Sequence, residues 1–233
     1  MLKAEKLTKQ YDDVVALNGV DLEVAAGEVF CLLGGNGAGK STTLNIFLGF
    51  LPASGGEAWI NDISVSRQPL QTKKHLAYIP EVVQLYPSLT GVENLDFFSR
   101  LAGFRYRTGQ LERMLEQAGL QVEACHRRMA TYSKGMRQKV GIAIALAKKA
   151  GALLMDEPTS GLDPRAIEEF TVLVKSFSAQ GGAVLMATHD IFNAVAIGTH
   201  IGIMREGEMV HRLRSVDITA GDLQKLYLET ISK

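Results

Sequence analysis

The chain has 233 residues, 25 Lys and Arg against 25 Asp and Glu, and 46% hydrophobic residues. That length suits one large α/β domain or two small ones with a sizeable core, and no apolar run reaches the roughly 18 residues of a membrane-spanning helix. The N-terminus shows no basic-then-apolar leader, and Cys31 and Cys125 make no disulfide framework, so a chain working in the reducing cytoplasm is expected.

Residues 1 to about 30 alternate apolar and polar, as in Leu2-Lys3-Ala4-Glu5-Lys6-Leu7 and Val20-Asp21-Leu22-Glu23-Val24, which predicts antiparallel strands. Val29-Phe30-Cys31-Leu32-Leu33 reads as a buried strand, and Ser41 to Gly49 as the helix after it. Between them Gly34-Gly35-Asn36-Gly37-Ala38-Gly39-Lys40-Ser41 fits G-x-x-x-x-G-K-[ST]. Bare glycines let consecutive backbone N–H groups curl around a phosphate, Lys40 reaches the terminal phosphates, and Ser41 offers a hydroxyl to Mg²⁺. The helix N-terminus, from Lys40 through Ser41 and Thr42, adds its partial positive charge to the same anion site.

Apolar residues at three- and four-residue intervals predict helices over Val92 to Leu101, Thr108 to Ala118 and Arg137 to Lys149. From Arg100 to Lys149 eleven basic residues face three acidic ones, which suits nucleotide phosphates or an anionic surface. Aromatics at stacking intervals are few there, so no nucleic-acid partner is expected. Ala152 to Met155 and Ala183 to Ala187 read as short buried strands, with a helix from Pro164 to Ala179 between them. That helix has clear ends: Asp163 as N-cap, Pro164 at the first position, Gly181-Gly182 just beyond. Apolar strands separated by helices imply a parallel sheet covered on both faces, with its ligand at the strand C-termini. Glu206-Gly207 signals a short hairpin, and the amphipathic end that follows has no assigned role.

Leu153-Leu154-Met155-Asp156-Glu157 places an acid pair at a strand end. Asp156 is suited to hold Mg²⁺ together with Ser41, and Glu157 to orient or deprotonate an attacking water. His189 ends another strand of the same sheet, where its imidazole can reach a γ-phosphate.

Tyr132-Ser133-Lys134-Gly135-Met136-Arg137-Gln138 resembles the signature segment of ATP-binding cassette (ABC) proteins, whose common form is Leu-Ser-Gly-Gly-Gln. The other family elements match in order over nearly the whole chain. Tyr11 stands at the aromatic that stacks on adenine, Glu81 at the Q-loop glutamine, Ser160-Gly161-Leu162-Asp163 at the D-loop and His189 at the switch histidine. The resemblance implies an α/β fold with a RecA-like P-loop core, an N-terminal antiparallel β-subdomain and an inserted α-helical subdomain. In a single cassette of 1–233, these divide as core and β-subdomain over about 1–84 and 150–210, helices over about 85–149 and a tail from about 211. It also implies an ATPase whose Ser133, Lys134, Gly135 and Met136 close over the γ-phosphate of a second subunit. Physically, Ser133 is a good N-cap, and its hydroxyl with the bare backbone of Gly135 would form an anion site at a helix start.

Four departures stand out. Gly35 replaces a common proline, at a position the loop motif leaves free. Lys134 replaces a glycine, and its cation either contacts phosphate or points into solvent. Met136 replaces the glutamine, with Gln138 two residues on. Glu81 keeps an oxygen ligand for Mg²⁺ but adds charge and loses the amide donor, with Gln84 as the other candidate for that role. Pro80-Glu81 together with this signature resembles the stand-alone ATPases that pair with separate permeases of ABC-2 type exporters. The expected protein is therefore a dimerising ATPase at the cytoplasmic face of the cell membrane, as a homodimer or with a paired ATPase subunit, held there by an integral-membrane permease. Its expected cofactors are ATP and Mg²⁺. A soluble non-transport ABC ATPase and a weakly hydrolysing regulatory subunit are the alternatives.

Overall fold

The computed structural model describes residues 1–232. Strands β1 (Leu2–Tyr11) and β2 (Val14–Val24) pair antiparallel, Leu2 opposite Val24 and Tyr11 opposite Val14. A register shift between Ala4 and Leu7, with Lys6 at φ 46°, keeps Leu2, Ala4 and Leu7 on one buried face although the strict alternation breaks. β4 (Gly55–Ile60) joins the other side of β1, and β5 (Ile63–Ser64) follows through a turn at Asn61-Asp62, both with positive φ. The resulting sheet has the order β2-β1-β4-β5.

A second sheet contains β3 (Val29–Gly34), β6 (Leu76–Ile79), β7 (Ala152–Asp156), β8 (Ala183–Thr188), β9 (His200–Arg205) and β10 (Glu208–Arg214), in the order β10-β9-β3-β8-β7-β6. All its pairs are parallel except β9-β10, a hairpin whose tip is Glu206-Gly207 at φ 49° and 81°. The period of two divides its side chains between two cores. Phe30, Leu32, Leu154, Leu185 and Ala187 pack toward the antiparallel sheet and helix α1 (Lys40–Phe47). Val29, Cys31, Leu33, Leu153, Met155, Val184 and Met186 pack on the opposite face. Each fully buried Leu or Phe stabilises by roughly 1.5–3 kcal/mol, so the strand ends that carry the site are held firmly from both sides.

Helix α2 (Pro69–His75) leads into β6. The chain between β6 and β7 is helical: α3 (Gly91–Leu101), α4 (Thr108–Gln117), α5 (Val122–Cys125) and α6 (Lys134–Ala147). α3 starts at a capping box, Thr90 Oγ1 accepting from Glu93 N–H at 3.2 Å and the Glu93 carboxylate accepting from Thr90 N–H at 2.8 Å. After β7, α7 (Pro164–Ala179) has the ends read from its caps, Asp163 accepting from Ala166 N–H at 3.0 Å. α8 (Ile191–Ile197) and α9 (Ala220–Ile231) complete the helical face, with Leu223 of α9 fully buried.

Candidate nucleotide site

The glycine-rich loop joins the C-terminus of β3 to α1, and the need for glycine differs along it. A Cβ on Gly34 would lie 2.6 Å from the Met204 carbonyl oxygen, and one on Gly39, at φ 101°, would lie 2.6 Å from Leu17 Cδ2. Those two positions exclude other residues. Gly35, where the family often has proline, meets nothing within 4 Å. Lys40 is buried at the first helical position, its Nζ donating to the carbonyls of Gly34 at 2.5 Å and Gly35 at 3.2 Å. Burial pulls the Lys40 pKa below its ordinary value, while the carboxylates of Glu157 and Asp156 favour the charged form.

Asp156 ends β7 and Glu157 follows it. Burial raises the Asp156 pKa, the neighbouring Ser41 hydroxyl opposes that, and of the nearby charges Glu157 and Glu81 raise it while Lys40 lowers it. The loop from Gly35 to Thr42 and the acids Glu81, Asp156 and Glu157 line one cavity of about 530 Å³, together with Val14, Val15 and Ala16. Glu81 lines this space and Gln84 does not. Tyr11 stands at the end of β1, opposite Val14, 44% exposed as a residue, with Lys9 Nζ 5.0 Å from its ring centroid. The cavity thus has an apolar wall, Val14 to Ala16, on the β-subdomain side and the glycine-rich loop on the other; Tyr11 stands near that wall without lining the cavity.

Glu157 and His189 meet directly: Oε2 lies 2.9 Å from Nδ1. The loop that carries Glu157 is held by Gln138, fully buried on α6, whose amide donates to the Pro158 carbonyl, and by Thr159, which accepts from Asn193 Nδ2 at 3.0 Å. In the sequence Gln138 stands out only as a displaced signature glutamine. Its work inside the chain shows only once α6 and the β7 loop are packed together.

Ser133 caps α6, its Oγ accepting from Met136 N–H at 3.3 Å. Ser133, Gly135, Met136 and Asp163 line a separate cavity of about 180 Å³ between α6 and α7. It shares no lining residue with the phosphate-loop cavity. A Cβ on Gly135 would sit 3.5 Å from Ala166 Cβ and 3.7 Å from Leu162 Cδ2, ordinary contact distances. Packing within the chain therefore does not require glycine there. In this chain Lys134 does not point freely into solvent: its Nζ donates to the Ser160 carbonyl at 2.5 Å and lies 4.0 Å from Glu81. Ser160 reads in the sequence only as part of the D-loop, yet its hydroxyl also donates to Glu81 at 3.0 Å.

A glycine loop between strand and helix, a buried lysine and an acid pair on the next strand but one define an α/β phosphate-loop ATPase. Residues 17–160 match the ABC transporter family, and the chain belongs to it. The chain is 32% identical over 212 residues to the linearmycin resistance ATP-binding protein LnrL of Bacillus subtilis (strain 168), covering 90% of this chain and 68% of that one. It is 34% identical over 214 residues to the probable multidrug ABC transporter ATP-binding protein YbhF of Escherichia coli (strain K12), covering 90% of this chain but 36% of that protein's length. Its fold matches the dimeric structure of MJ0796, a bacterial ABC transporter cassette, at a TM-score of 0.80 and 28% identity over 92% of this chain and 99% of that one. The same cassette in a post-hydrolysis state bound to ADP and Pi matches at 0.79. The chain is thus an ATP-binding and ATP-hydrolysing cassette of the transporter type.

Proposed function

We propose that this cassette powers an ABC-2 type exporter for small organic molecules: two cassettes close on two ATP molecules, and hydrolysis reopens them. The observation that carries the reading is the separation of the two anion-binding features. The phosphate-loop cavity and the signature cavity share no residue, and Gly135 is bare without an internal packing reason. A second subunit, arranged head to tail, brings Ser133, Gly135 and Met136, on the helix start that also carries Lys134, over the first subunit's phosphates. Export is supported by the resistance and multidrug transporters among its relatives.

In this reading Tyr11 stacks on adenine, and the backbone of Gly34 to Gly39 wraps the phosphates. Lys40 leaves the Gly34 and Gly35 carbonyls for the terminal phosphates, and the α1 N-terminus at Ser41 and Thr42 adds to the positive field. Ser41, Asp156 and Glu81 form an all-oxygen donor set, which fits Mg²⁺ with phosphate and water as its other ligands. Bound there, the ion would neutralise charge on the terminal phosphates. Glu157 accepts the proton of the attacking water, His189 holds the γ-phosphate, and Asp163 sits in the D-loop that touches the partner.

No described helix is long and apolar enough to cross a membrane. In this reading a permease, by analogy with the transporter subunits among its relatives, holds the cassette at the cytoplasmic face. The contact is proposed at Leu85-Tyr86-Pro87-Ser88-Leu89, where Tyr86 and Phe97 are exposed and stack edge to face at 4.8 Å. This segment is tied to the approach to the signature, because Met129 N–H donates to the Leu89 carbonyl at 2.8 Å and Ala130 N–H to the Pro87 carbonyl at 3.0 Å. The test is purification from membranes. A co-purifying integral-membrane protein and ATPase activity in that complex are expected; recovery with ribosomes, or a complex without turnover, overturns the proposal.

A further inference from the structure

Three carboxylates, Glu81, Asp156 and Glu157, line the phosphate-loop cavity beside one ammonium, that of Lys40. A glutamine at 81 would be neutral and carry its own N–H donors. Glutamate can only accept, so its partners must be donors. The structure supplies two in a chain. Ser160 Oγ donates to Glu81 Oε1 at 3.0 Å, and Lys134 Nζ stands 4.0 Å from the same oxygen while donating to the Ser160 carbonyl at 2.5 Å. Gly161, at φ 66°, makes the turn that follows Ser160, and Lys134 Nζ lies 4.0 Å from where a Cβ would be at Gly161. Two departures from the family pattern, the acid at 81 and the cation at 134, thus meet through one residue of a third segment.

We infer that Lys134 is a positioning residue acting within its own chain: through Ser160 it holds Glu81 in the ATP cavity and offsets its charge. The inference rests on the proposed role of Glu81 at the Mg²⁺ edge of the site. The side chains of Lys134 and Glu81 are 31% and 53% exposed, so the bare attraction between them is weak. What the arrangement provides is registration. The segment after β6, the first turn of α6 and the loop before α7 are fixed relative to one another, and of the three residues that meet there Glu81 lines the phosphate-loop cavity. A cation at 134 is needed because 81 is an acid; with glutamine at 81 the need disappears.

The experiment is a double-mutant cycle of Glu81→Gln and Lys134→Gly, read as ATP turnover of the transporter complex, as Mg²⁺ dependence of nucleotide binding, and as the thermal midpoint of the nucleotide-free chain. With Glu81 present, Lys134→Gly should lower turnover about three- to tenfold; in the Glu81→Gln background it should lower it less than about twofold. The midpoints of the nucleotide-free chain should show a coupling of about 1–3 °C. Lys134→Arg should restore turnover, and Lys134→Gln should behave as Lys134→Gly, which separates charge loss from helix destabilisation. Equal loss in both backgrounds with a raised KM for ATP overturns the inference and assigns Lys134 to phosphate. If Glu81→Gln leaves the Mg²⁺ dependence of nucleotide binding unchanged, the reading of Glu81 fails and this inference with it. A shifted Mg²⁺ dependence with additive effects overturns the inference alone.

Discussion

Glu157 Oε2 and His189 Nδ1 lie 2.9 Å apart, and the same carboxylate oxygen accepts the His189 backbone N–H at 3.3 Å. Glu157 has φ 45°, a left-handed conformation costly for a residue with a side chain, by about 1–3 kcal/mol. β8 holds it there, since Glu157 N–H donates to the Ala187 carbonyl at 2.9 Å. That conformation keeps an 18%-exposed carboxylate on the lining of the phosphate-loop cavity and against His189; in the proposed mechanism the other imidazole nitrogen, Nε2, meets a phosphate oxygen.

Glu157→Gln keeps the shape and the His189 contact but loses the proton acceptor. Turnover should fall by about 10²–10⁴-fold while ATP binding survives. The ATP-bound variant should then accumulate as a dimer in size-exclusion chromatography with light scattering. Undiminished turnover in the purified complex would remove Glu157 from the base role.

His189→Ala removes the side-chain partner of Glu157 and, in the proposed mechanism, a phosphate partner. Because the two residues act as a unit, the loss in the double variant with Glu157→Gln should be close to that of Glu157→Gln alone. Steady-state kinetics on the four proteins checks this; fully additive losses would mean the pair does not work together.

Tyr132, just before the signature serine, donates from its buried hydroxyl to the Ala124 carbonyl at 2.6 Å. Burial, the largest cause, pushes its pKa up to about 12. A raised pKa means the folded state holds the proton more tightly. Its stabilising contribution is therefore complete below the unfolded value near 10 and is lost as pH rises from there through about 12. Tyr132→Phe should lower stability by about 0.5–1.5 kcal/mol at neutral pH by removing that hydrogen bond, the Ala124 carbonyl keeping the Arg127 N–H at 2.9 Å. The gap between the two proteins should narrow above pH 10, which urea unfolding across pH measures. A gap constant with pH would contradict the assignment.

Much of this is legible in the sequence, for local reasons. The limits of α7 follow from Asp163, Pro164 and Gly181, and the β9-β10 turn from Glu206-Gly207, because capping and turn chemistry act over a few residues. The phosphate loop and the acid pair are legible for the same reason. The contacts among Glu81, Lys134 and Ser160 are not, since they arise only when three distant segments converge. No local rule names a backbone carbonyl on another loop as the partner of Lys134, so the sequence leaves its cation between phosphate and solvent. The support of the Glu157 loop by Gln138 is hidden likewise.

At the proposed permease contact, Tyr86→Asp places a charge in the exposed aromatic patch. Recovery of the integral-membrane partner should drop at least about fivefold, given what a central aromatic contributes to an interface. Equal recovery would move the docking surface elsewhere.

In the proposed mechanism each ATP site is completed by a second chain. Lys40→Ala disables the phosphate loop and Ser133→Arg the signature, so each variant alone should be inactive, although Ser133→Arg monomers still bind ATP. Mixed, they can form a pair with one intact site, the loop of the Ser133→Arg chain under the signature of the Lys40→Ala chain. ATP turnover in the mixture should recover to a substantial fraction of the wild-type rate. A mixture as inactive as its parts would mean that loop and signature do not meet between chains.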